Sequence, residues 1–256
     1  MVDAWEFLRS IFVGVTANAI FVLLTACLGV LIYRLVRRRS LLRFFGIADD
    51  RRLRIYISQL DILGDRAGRM NGLPGFHGSA VGFLESTEAR RIAELFLFLI
   101  PGLSGLPTLL SRLFVADVSV EIEPAAFAPA EPRLDCSYIS LGTPLFNTAS
   151  GFTESRVRRD LGFRGTDNAE LHIPGLQPML KATNPWYAVL GRFTFSDVKI
   201  FYAAGFHDVG TAAAAFYLRR HWRRLHNRFG DSDFFVVLTI ASADYRSATV
   251  VAENTL

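Results

Sequence analysis

The sequence predicts an α/β domain with a mostly parallel, Rossmann-like or flavodoxin-like sheet and helices on both faces, preceded by one transmembrane helix. Three observations lead to this prediction. Residues 11–33 form an apolar run without acidic or basic side chains. Apolar segments of strand length recur in the rest of the chain. Several of them run into a turn that contains glycine and then into a segment with helical spacing, an order that is typical of α/β sheets.

The apolar run at residues 11–33 is long enough to cross a bilayer core about 30 Å thick, at about 1.5 Å of rise per residue. An arginine-rich segment follows it directly, and arginines beside a span mark its cytoplasmic side. We therefore expect an inner-membrane protein with residues 1–10 outside. A basic juxtamembrane connector would cover 34–52, and a cytoplasmic domain would cover 53–256.

Other interpretations of the apolar run fit less well. A cleaved signal peptide has a basic beginning and a shorter apolar core, and neither is present. Leu24–Cys27 matches a lipobox, but the residues after Cys27 are apolar where a lipoprotein has a polar tether. A buried core helix is disfavoured by the length of the run and by the charge at one end only.

The charge and cysteine content exclude several classes of protein. The formal net charge is +4, and it comes almost entirely from the arginines after the apolar run, so no general nucleic-acid footprint is present. We expect anionic lipid headgroups to bind three consecutive arginines after the run. These are Arg37, Arg38 and Arg39. Cys27 and Cys136 are too far apart to indicate a disulfide framework, and no metal-binding spacing is present.

The first half of the domain begins with a short connector. Residues 40–50 fit either an interfacial amphipathic segment or a continuation of the helix as far as Gly46. The alternation in Leu53–Ser58 predicts the first strand, and a glycine-rich loop follows over 60–77. Ser86 or Thr87 begins a helix that ends at Pro101. The remaining elements are a strand over Phe114–Glu123, a connector over 125–132 and a strand over Asp135–Leu141.

The second half of the domain continues the alternation of helices and strands. Residues 197–204 are almost wholly apolar, as expected of a central strand that is covered on both faces. A strong helix follows it, with apolar residues at helical spacing between Ala214 and Phe229. The remaining predicted elements are a helix over Thr153–Leu161, a buried strand over Asp233–Ile240 and an edge strand over Ala248–Glu253.

Two strand-to-helix turns carry candidate ligand-binding residues. In an open α/β sheet, ligands bind beyond the carboxyl ends of the strands, and a helix N-terminus there attracts anions. Glycine for backbone geometry alone is the competing interpretation of both turns. The candidates are Ser58 after the first strand, then Gly142, Thr143 and Asn147 in one turn, and Gly205, His207, Asp208, Gly210 and Thr211 in the other.

Two carboxylates lie at the start of the Ser86 helix. Glu85 and Glu88 are favoured there by the helix dipole alone. Alternatively, Glu85 lies at the edge of the ligand crevice, where a carboxylate could attack or stabilise a ribosyl centre. The sequence does not decide which of the two faces the crevice.

These motifs also suggest a family. LRIYIS, GSAVGFLE, SLGTP and AGFHDVGT resemble, in this order, a group of uncharacterised bacterial membrane-anchored Rossmann-like proteins. LRIYIS with a helix-borne Glu85 is more distantly similar to nucleoside deoxyribosyltransferases and TIR domains. That resemblance implies that Glu85 is a catalytic carboxylate acting on an N-glycosidic bond.

Three functions follow as expectations. The first is a sensor or signalling domain that binds a nucleotide-like or phosphorylated small molecule. The second is an N-glycosidase or deoxyribosyltransferase-like enzyme that acts on nucleosides or NAD through Glu85. The third is a scaffold that self-associates through residues 11–33, although its small residues match GxxxG poorly.

Overall fold

The structure is a computed structural model, and it describes residues 2–47, 52–61, 79–96, 118–125, 132–181 and 185–256. The chain divides into two compact units, Met1–Arg43 and Phe44–Leu256. Some sequence predictions lie outside the described residues. These are most of the glycine-rich loop at 60–77, the helix end at Pro101 and most of the connector at 125–132.

The N-terminal region corrects the membrane prediction. It forms one helix, α1, from Val2 to Phe45, so the predicted limits at residues 11 and 33 are not helix ends. No helix in the described part of the chain has the combined length and apolar character that crossing a bilayer requires. The predicted transmembrane helix is therefore wrong, and so is the single-pass location at the inner membrane with a cytoplasmic domain. The prediction treated 11–33 as a separate unit, whereas these residues are the middle of a longer helix with charged residues on both sides.

The second unit contains the strands and the remaining helices. The strands are β1 (Arg52–Ile57), β2 (Gln59–Asp61), β3 (Ser79–Val81), β4 (Ser119–Pro124), β5 (Ser137–Leu141), β6 (Gly162–Arg164), β7 (Glu170–His172), β8 (Met179–Leu180), β9 (Trp186–Phe195), β10 (Val198–Gly205), β11 (Phe234–Ile240) and β12 (Thr249–Thr255). The helices are α2 (Phe83–Glu94), α3 (Thr148–Phe152) and α4 (His207–Phe229), with a π-helical turn at Thr153–Val157.

The main sheet corrects the predicted parallel topology. Its seven strands lie in the order β12-β11-β9-β10-β5-β1-β4. The pairs β4–β1, β1–β5 and β5–β10 are parallel. The pairs β10–β9, β9–β11 and β11–β12 are antiparallel. The sheet is thus mixed, with a parallel half and an antiparallel half, and the prediction of a mostly parallel Rossmann-like or flavodoxin-like sheet is wrong.

The strand that changes the topology is β9, which the sequence analysis did not identify. It joins β10 through a tight turn at Ser196 and Asp197, which both have positive φ, at 49° and 66°. Positive φ at both central residues is typical of the hairpin turns whose twist suits paired strands. Neither residue is glycine or asparagine, so the turn lacks the usual sequence signal. Because β9 lies between β10 and β11, these two strands are not neighbours.

The two faces of the main sheet are covered differently. On one face α4 packs against β9, β10 and β11, and α2 packs beside α4. On the other face the three-stranded sheet β6-β7-β8 contributes Leu161, Phe163 and Leu171 to a core with side chains of β9, β10 and β11. Helix α3 covers the region around Tyr56 and Tyr138 on that same face. The first face is thus covered by helices, and the second by the small sheet together with the short helix α3.

The end of α1 belongs to the core of the second unit. The sequence left open whether residues 40–50 continue the helix, and α1 does continue as far as Phe45. Phe44 and Phe45 are fully buried. Their rings contact Phe201 of β10 at centroid distances of 5.2 and 4.9 Å. Phe44 also lies 6.2 Å from Trp222 of α4, so these two residues fill the space between the sheet and the helix.

Candidate functional site

A cleft of about 200 Å³ lies where the parallel strands β1, β5 and β10 end. This is the position at which open α/β sheets bind ligands. Sequence-predicted residues in its lining are Ser58, Glu85, Thr143, Gly205, His207, Asp208 and Thr211. The other lining residues are Gly82, Leu145, Phe146, Asp167, Asn168, Lys181 and Phe206. The parallel half of the sheet therefore brings most of the predicted site residues together.

Glu85 is a buried ionisable residue in the lining of the cleft. It lies in the first turn of α2, and its side chain is 5% exposed. The pKa of this carboxyl is raised to about 7, chiefly by burial and to a smaller extent by the negative charge of Asp208. Hydrogen bonds from Ser58 and Thr211 oppose the shift, and the backbone N–H of Ser58 donates to Glu85 Oε2 at 3.1 Å. Near neutral pH this carboxyl is therefore ready to gain or lose a proton.

Gly142 allows β5 to approach this carboxylate. Its φ is +115°, and a Cβ atom built there would lie 1.7 Å from Ser58 Oγ and 3.5 Å from Glu85 Oε1. The Ser58 hydroxyl in turn donates to the carbonyl of Leu141 at 3.1 Å. Gly142 does not line the cleft itself, but it leaves the space that Ser58 occupies.

Replacing Gly142 with alanine is expected to lower the free energy of unfolding by about 2 kcal/mol or more, because the methyl group overlaps Ser58 and the backbone is strained. Gly151 provides a matched control. It lies in α3, and its nearest neighbour would be 3.9 Å from the added Cβ. Gly151→Ala should stabilise by about 0.5–1 kcal/mol because alanine is the better helix former. Urea unfolding of both variants checks the opposite signs. Equal effects would contradict this account of Gly142.

The second predicted turn joins β10 directly to α4. Gly205 and Gly210 pack against each other, and a Cβ at Gly205 would lie 2.5 Å from the backbone carbon of Gly210. This contact places buried Thr211 in the first turns of α4 beside Glu85. His207 is exposed at the start of the helix, with a φ of 61° and its ring 5.1 Å from Trp186. Gly210 therefore allows the close backbone contact with Gly205, whereas His207, Asp208 and Thr211 line the cleft.

The side chain of Asn147 forms hydrogen bonds that stabilise the fold. Its side-chain oxygen accepts hydrogen bonds from the backbone N–H groups of Ala149 and Ser150, and so caps α3. Its Nδ2 group donates to the carbonyl oxygens of Tyr56 and Leu141 at 3.1 and 2.8 Å. These bonds fix the turn after β5 against β1, and Asn147 does not line the cleft.

Two further buried carboxylates lie outside the cleft. Glu88 is fully buried and accepts hydrogen bonds from Arg91, Arg219 and Tyr245 at 2.8, 3.0 and 3.0 Å. This answers which acid of α2 faces the crevice, because only Glu85 lines it. Glu154 accepts from Tyr202, from the backbone of Phe163 and from Arg164, and burial raises its pKa to about 7.

The small sheet β6-β7-β8 contributes residues that the sequence analysis missed. Asp167 and Asn168 lie between β6 and β7, and Lys181 directly follows β8. These strands are only two or three residues long, so they leave no periodic pattern to detect. The sequence does contain one indication of Lys181. Of its 28 lysine and arginine residues, only Lys181 and Lys199 are lysines, so these two positions differ from the other basic ones.

The lining combines acidic and apolar side chains. Glu85, Asp167 and Asp208 supply carboxylates, and ionised carboxylates accept hydrogen bonds from hydroxyl groups. Leu145, Phe146 and Phe206 supply apolar surface on which a flat ring can pack. Such a lining suits a small molecule that carries both hydroxyl groups and a ring. No cluster of three or more metal-binding side chains occurs in the described ranges of the chain.

Comparison of the chain with protein-family models, with curated proteins and with solved structures gave no match.

Proposed function

We propose that the cleft cleaves the N-glycosidic bond of a nucleoside-like compound, with Glu85 as the catalytic carboxylate. The observation that carries this proposal is the buried Glu85 carboxyl, with a pKa of about 7, in a cleft at the ends of three parallel strands. Carboxyl groups with strongly shifted pKa values in clefts are characteristic of active sites. Buried carboxyls also occur in purely structural networks, but Glu85 has no cationic partner among the groups that shift its pKa most.

The ligand class follows from the lining and the size of the cleft. Carboxylates from three different segments favour a molecule with several hydroxyl groups, such as a ribosyl group. The apolar residues favour a planar base beside it. Pockets for drug-sized ligands have volumes of roughly 300–1,000 Å³. A volume of about 200 Å³ lies below this range, so it favours a compact ligand and disfavours a dinucleotide.

The proposed reaction uses Glu85 as a nucleophile. The ionised carboxylate attacks the anomeric carbon, the carbon–nitrogen bond breaks, and the base leaves with the bonding electron pair and takes up a proton from water. Water then hydrolyses the ribosyl ester and regenerates the carboxylate. In this reaction Asp208, which lines the cleft and is exposed, binds a ribosyl hydroxyl, and Thr211 and Ser58 orient Glu85 through their hydrogen bonds.

The test is release of free base by the full-length protein from nucleosides, nucleoside monophosphates and NAD, followed by chromatography. We expect Glu85→Gln to lower the rate by at least about a thousandfold, because glutamine cannot act as the nucleophile. Glu154→Gln is the matched control, since that carboxyl has a similarly raised pKa but lies outside the cleft. It should retain activity in proportion to the folded fraction.

Two results would contradict the proposal. One is turnover that survives Glu85→Gln. The other is binding of a nucleoside compound without any release of base, which would instead support the ligand-binding domain that was the first expectation from the sequence.

A further inference from the structure

The three-stranded sheet β6-β7-β8 holds a small group of cleft residues in place through its backbone. Asp167 and Asn168 both have a φ of 56°, which is uncommon for residues other than glycine. The backbone N–H of Lys181 donates to the carbonyl of Ala169 at 2.8 Å, and Lys181 Nζ lies 3.4 Å from the carbonyl oxygen of Asp167. The three cleft residues of this sheet are thus fixed relative to one another.

Two residues in this group line the cleft and have hydrogen-bond donors that the described protein groups do not use fully. Asn168 Nδ2 is buried and has no hydrogen-bond partner in the described part of the protein. A buried donor without a partner is costly, and most such groups are satisfied in native proteins. Lys181 is the only lysine or arginine among the described residues that line the cleft. Its one described side-chain bond, to the carbonyl of Asp167, is long and leaves two further N–H groups.

We propose that Asn168 and Lys181 bind the phosphoryl group of the substrate, so that the substrate is a nucleoside monophosphate. This inference rests on the proposed function and extends it. The donors come from the β6-β7-β8 sheet, whereas Glu85 and Asp208 come from α2 and α4. In a nucleoside 5′-monophosphate the phosphoryl group and the base are attached to different carbons of the ribose. The ribose would then contact the carboxylates, and the phosphoryl group would contact the donors.

The carboxylate of Asp167 also lines the cleft near Lys181, and its negative charge opposes the binding of an anion. An anion beside Asp167 is favourable only if Lys181 offsets that charge, so the lysine charge is essential to the subsite. Hydrogen bonds that involve charged groups are worth enough to change a dissociation constant about tenfold or more. Loss of the Lys181 charge should therefore weaken the binding of monophosphates and leave the affinity for nucleosides unchanged.

The experiment measures binding by calorimetry to the full-length Glu85→Gln variant, which binds substrate without consuming it. The probes are adenosine, guanosine, cytidine, uridine and thymidine, each beside its 5′-monophosphate. We expect at least one monophosphate to bind about tenfold or more tightly than its nucleoside. Adding Lys181→Met should abolish that preference, and adding Asn168→Ala should reduce it severalfold, while the affinity for the nucleoside stays unchanged.

Lys199→Met is the matched control for the lysine. Lys199 pairs with Asp231 at 3.0 Å and does not line the cleft, so this variant should keep the preference. Inorganic phosphate should compete with the monophosphate in the Lys199→Met protein and fail to bind the Lys181→Met protein. That result supports a phosphoryl subsite at Lys181.

Several results would overturn the subsite. They are equal affinity for nucleoside and monophosphate, no binding of any probe, and a loss in Lys181→Met that is the same for both ligands. The assay of base release separates this failure from failure of the proposed function. Base release without a preference for monophosphates contradicts the subsite alone. A preference that depends on Lys181 without base release contradicts the N-glycosidase and leaves the subsite supported.

Discussion

Glu85→Gln is expected to stabilise the folded protein by about 3 kcal/mol at pH 8 and by much less at pH 4.5. The pKa of Glu85 rises from its ordinary value of 4.5 to about 7, chiefly because the carboxyl is buried. Each tenfold change in ionisation corresponds to about 1.4 kcal/mol, so ionising Glu85 in the folded state costs about 3 kcal/mol. Glutamine keeps an oxygen that can accept from Ser58 and has no charge to desolvate.

The sign of the pH dependence follows from proton binding. Between pH 4.5 and 7 the folded protein holds a proton on Glu85 that the unfolded chain has released. The wild-type protein therefore loses stability as the pH rises through this window, and the loss remains above it. Urea unfolding of both proteins at pH 4.5 and pH 8 measures the difference. Glu154 titrates in a similar range but is present in both proteins, so its contribution cancels.

Glu88→Gln is the control within the same helix. The Glu88 carboxylate is bonded to Arg91, Arg219 and Tyr245, so glutamine removes the negative charge that pairs with two arginines and replaces one acceptor oxygen with an NH₂ group. We expect this variant to lose about 3 kcal/mol or more at pH 8. Opposite effects at two buried glutamates of one helix would show that Glu85 is held at a cost to stability, as is common for catalytic groups. A Glu85→Gln effect that does not change with pH would contradict this explanation.

Arg192→Ala is expected to destabilise the protein by about 3–5 kcal/mol, because the substitution creates a cavity and leaves two carbonyl oxygens without their hydrogen-bond donor. The Arg192 side chain is fully buried in β9. Its guanidinium carbon lies near the rings of both Phe44 and Phe234, at 5.1 and 4.9 Å from their centroids. Nη2 donates to the carbonyl oxygens of Gly230 and Ser232, in the turn between α4 and β11.

The burial of Arg192 lowers its pKa to about 10, although Asp231 and Asp233 favour its charge. Because desolvation costs the wild-type protein stability, Arg192→Met should cost less than half as much as alanine: methionine fills the space and carries no charge. Arg223→Ala is the matched control. Arg223 also lies over an aromatic ring, that of Trp222, but it is exposed and should change stability by less than about 0.5 kcal/mol. Equal effects of alanine and methionine at Arg192 would contradict the packing argument.

Several residues that the sequence singled out lie together in the cleft although the predicted sheet topology was wrong. The rule that ligands bind beyond the carboxyl ends of strands needs only β1, β5 and β10 to be parallel and adjacent, and they are. Applied without knowledge of β9, the rule selected Ser58 and Thr143, and both line the cleft. It placed Asn147 less well, because an asparagine in a turn can cap a helix as readily as it can bind a ligand.

What the sequence could not supply depends on contacts between distant residues. The hairpin between β9 and β10 turns on Ser196 and Asp197, and aspartate tolerates a positive φ whereas serine has no such preference. Lys181 and Asn168 reach the cleft only because short strands fold back over the main sheet. The error over residues 11–33 has a different origin, since a count of apolar residues does not reveal that the helix continues to Phe45.

The two phenylalanines at the end of α1 bear on where this domain can be cut. A truncated fragment designed to keep all the strands and omit α1 would begin at β1, near residue 52. Such a fragment would lose the rings of Phe44 and Phe45 and leave an aromatic-sized hole between α4 and the sheet. Each buried ring contributes roughly 3–5 kcal/mol, which is comparable to the whole margin by which many domains stay folded. The smallest self-sufficient piece of this chain therefore begins within a helix.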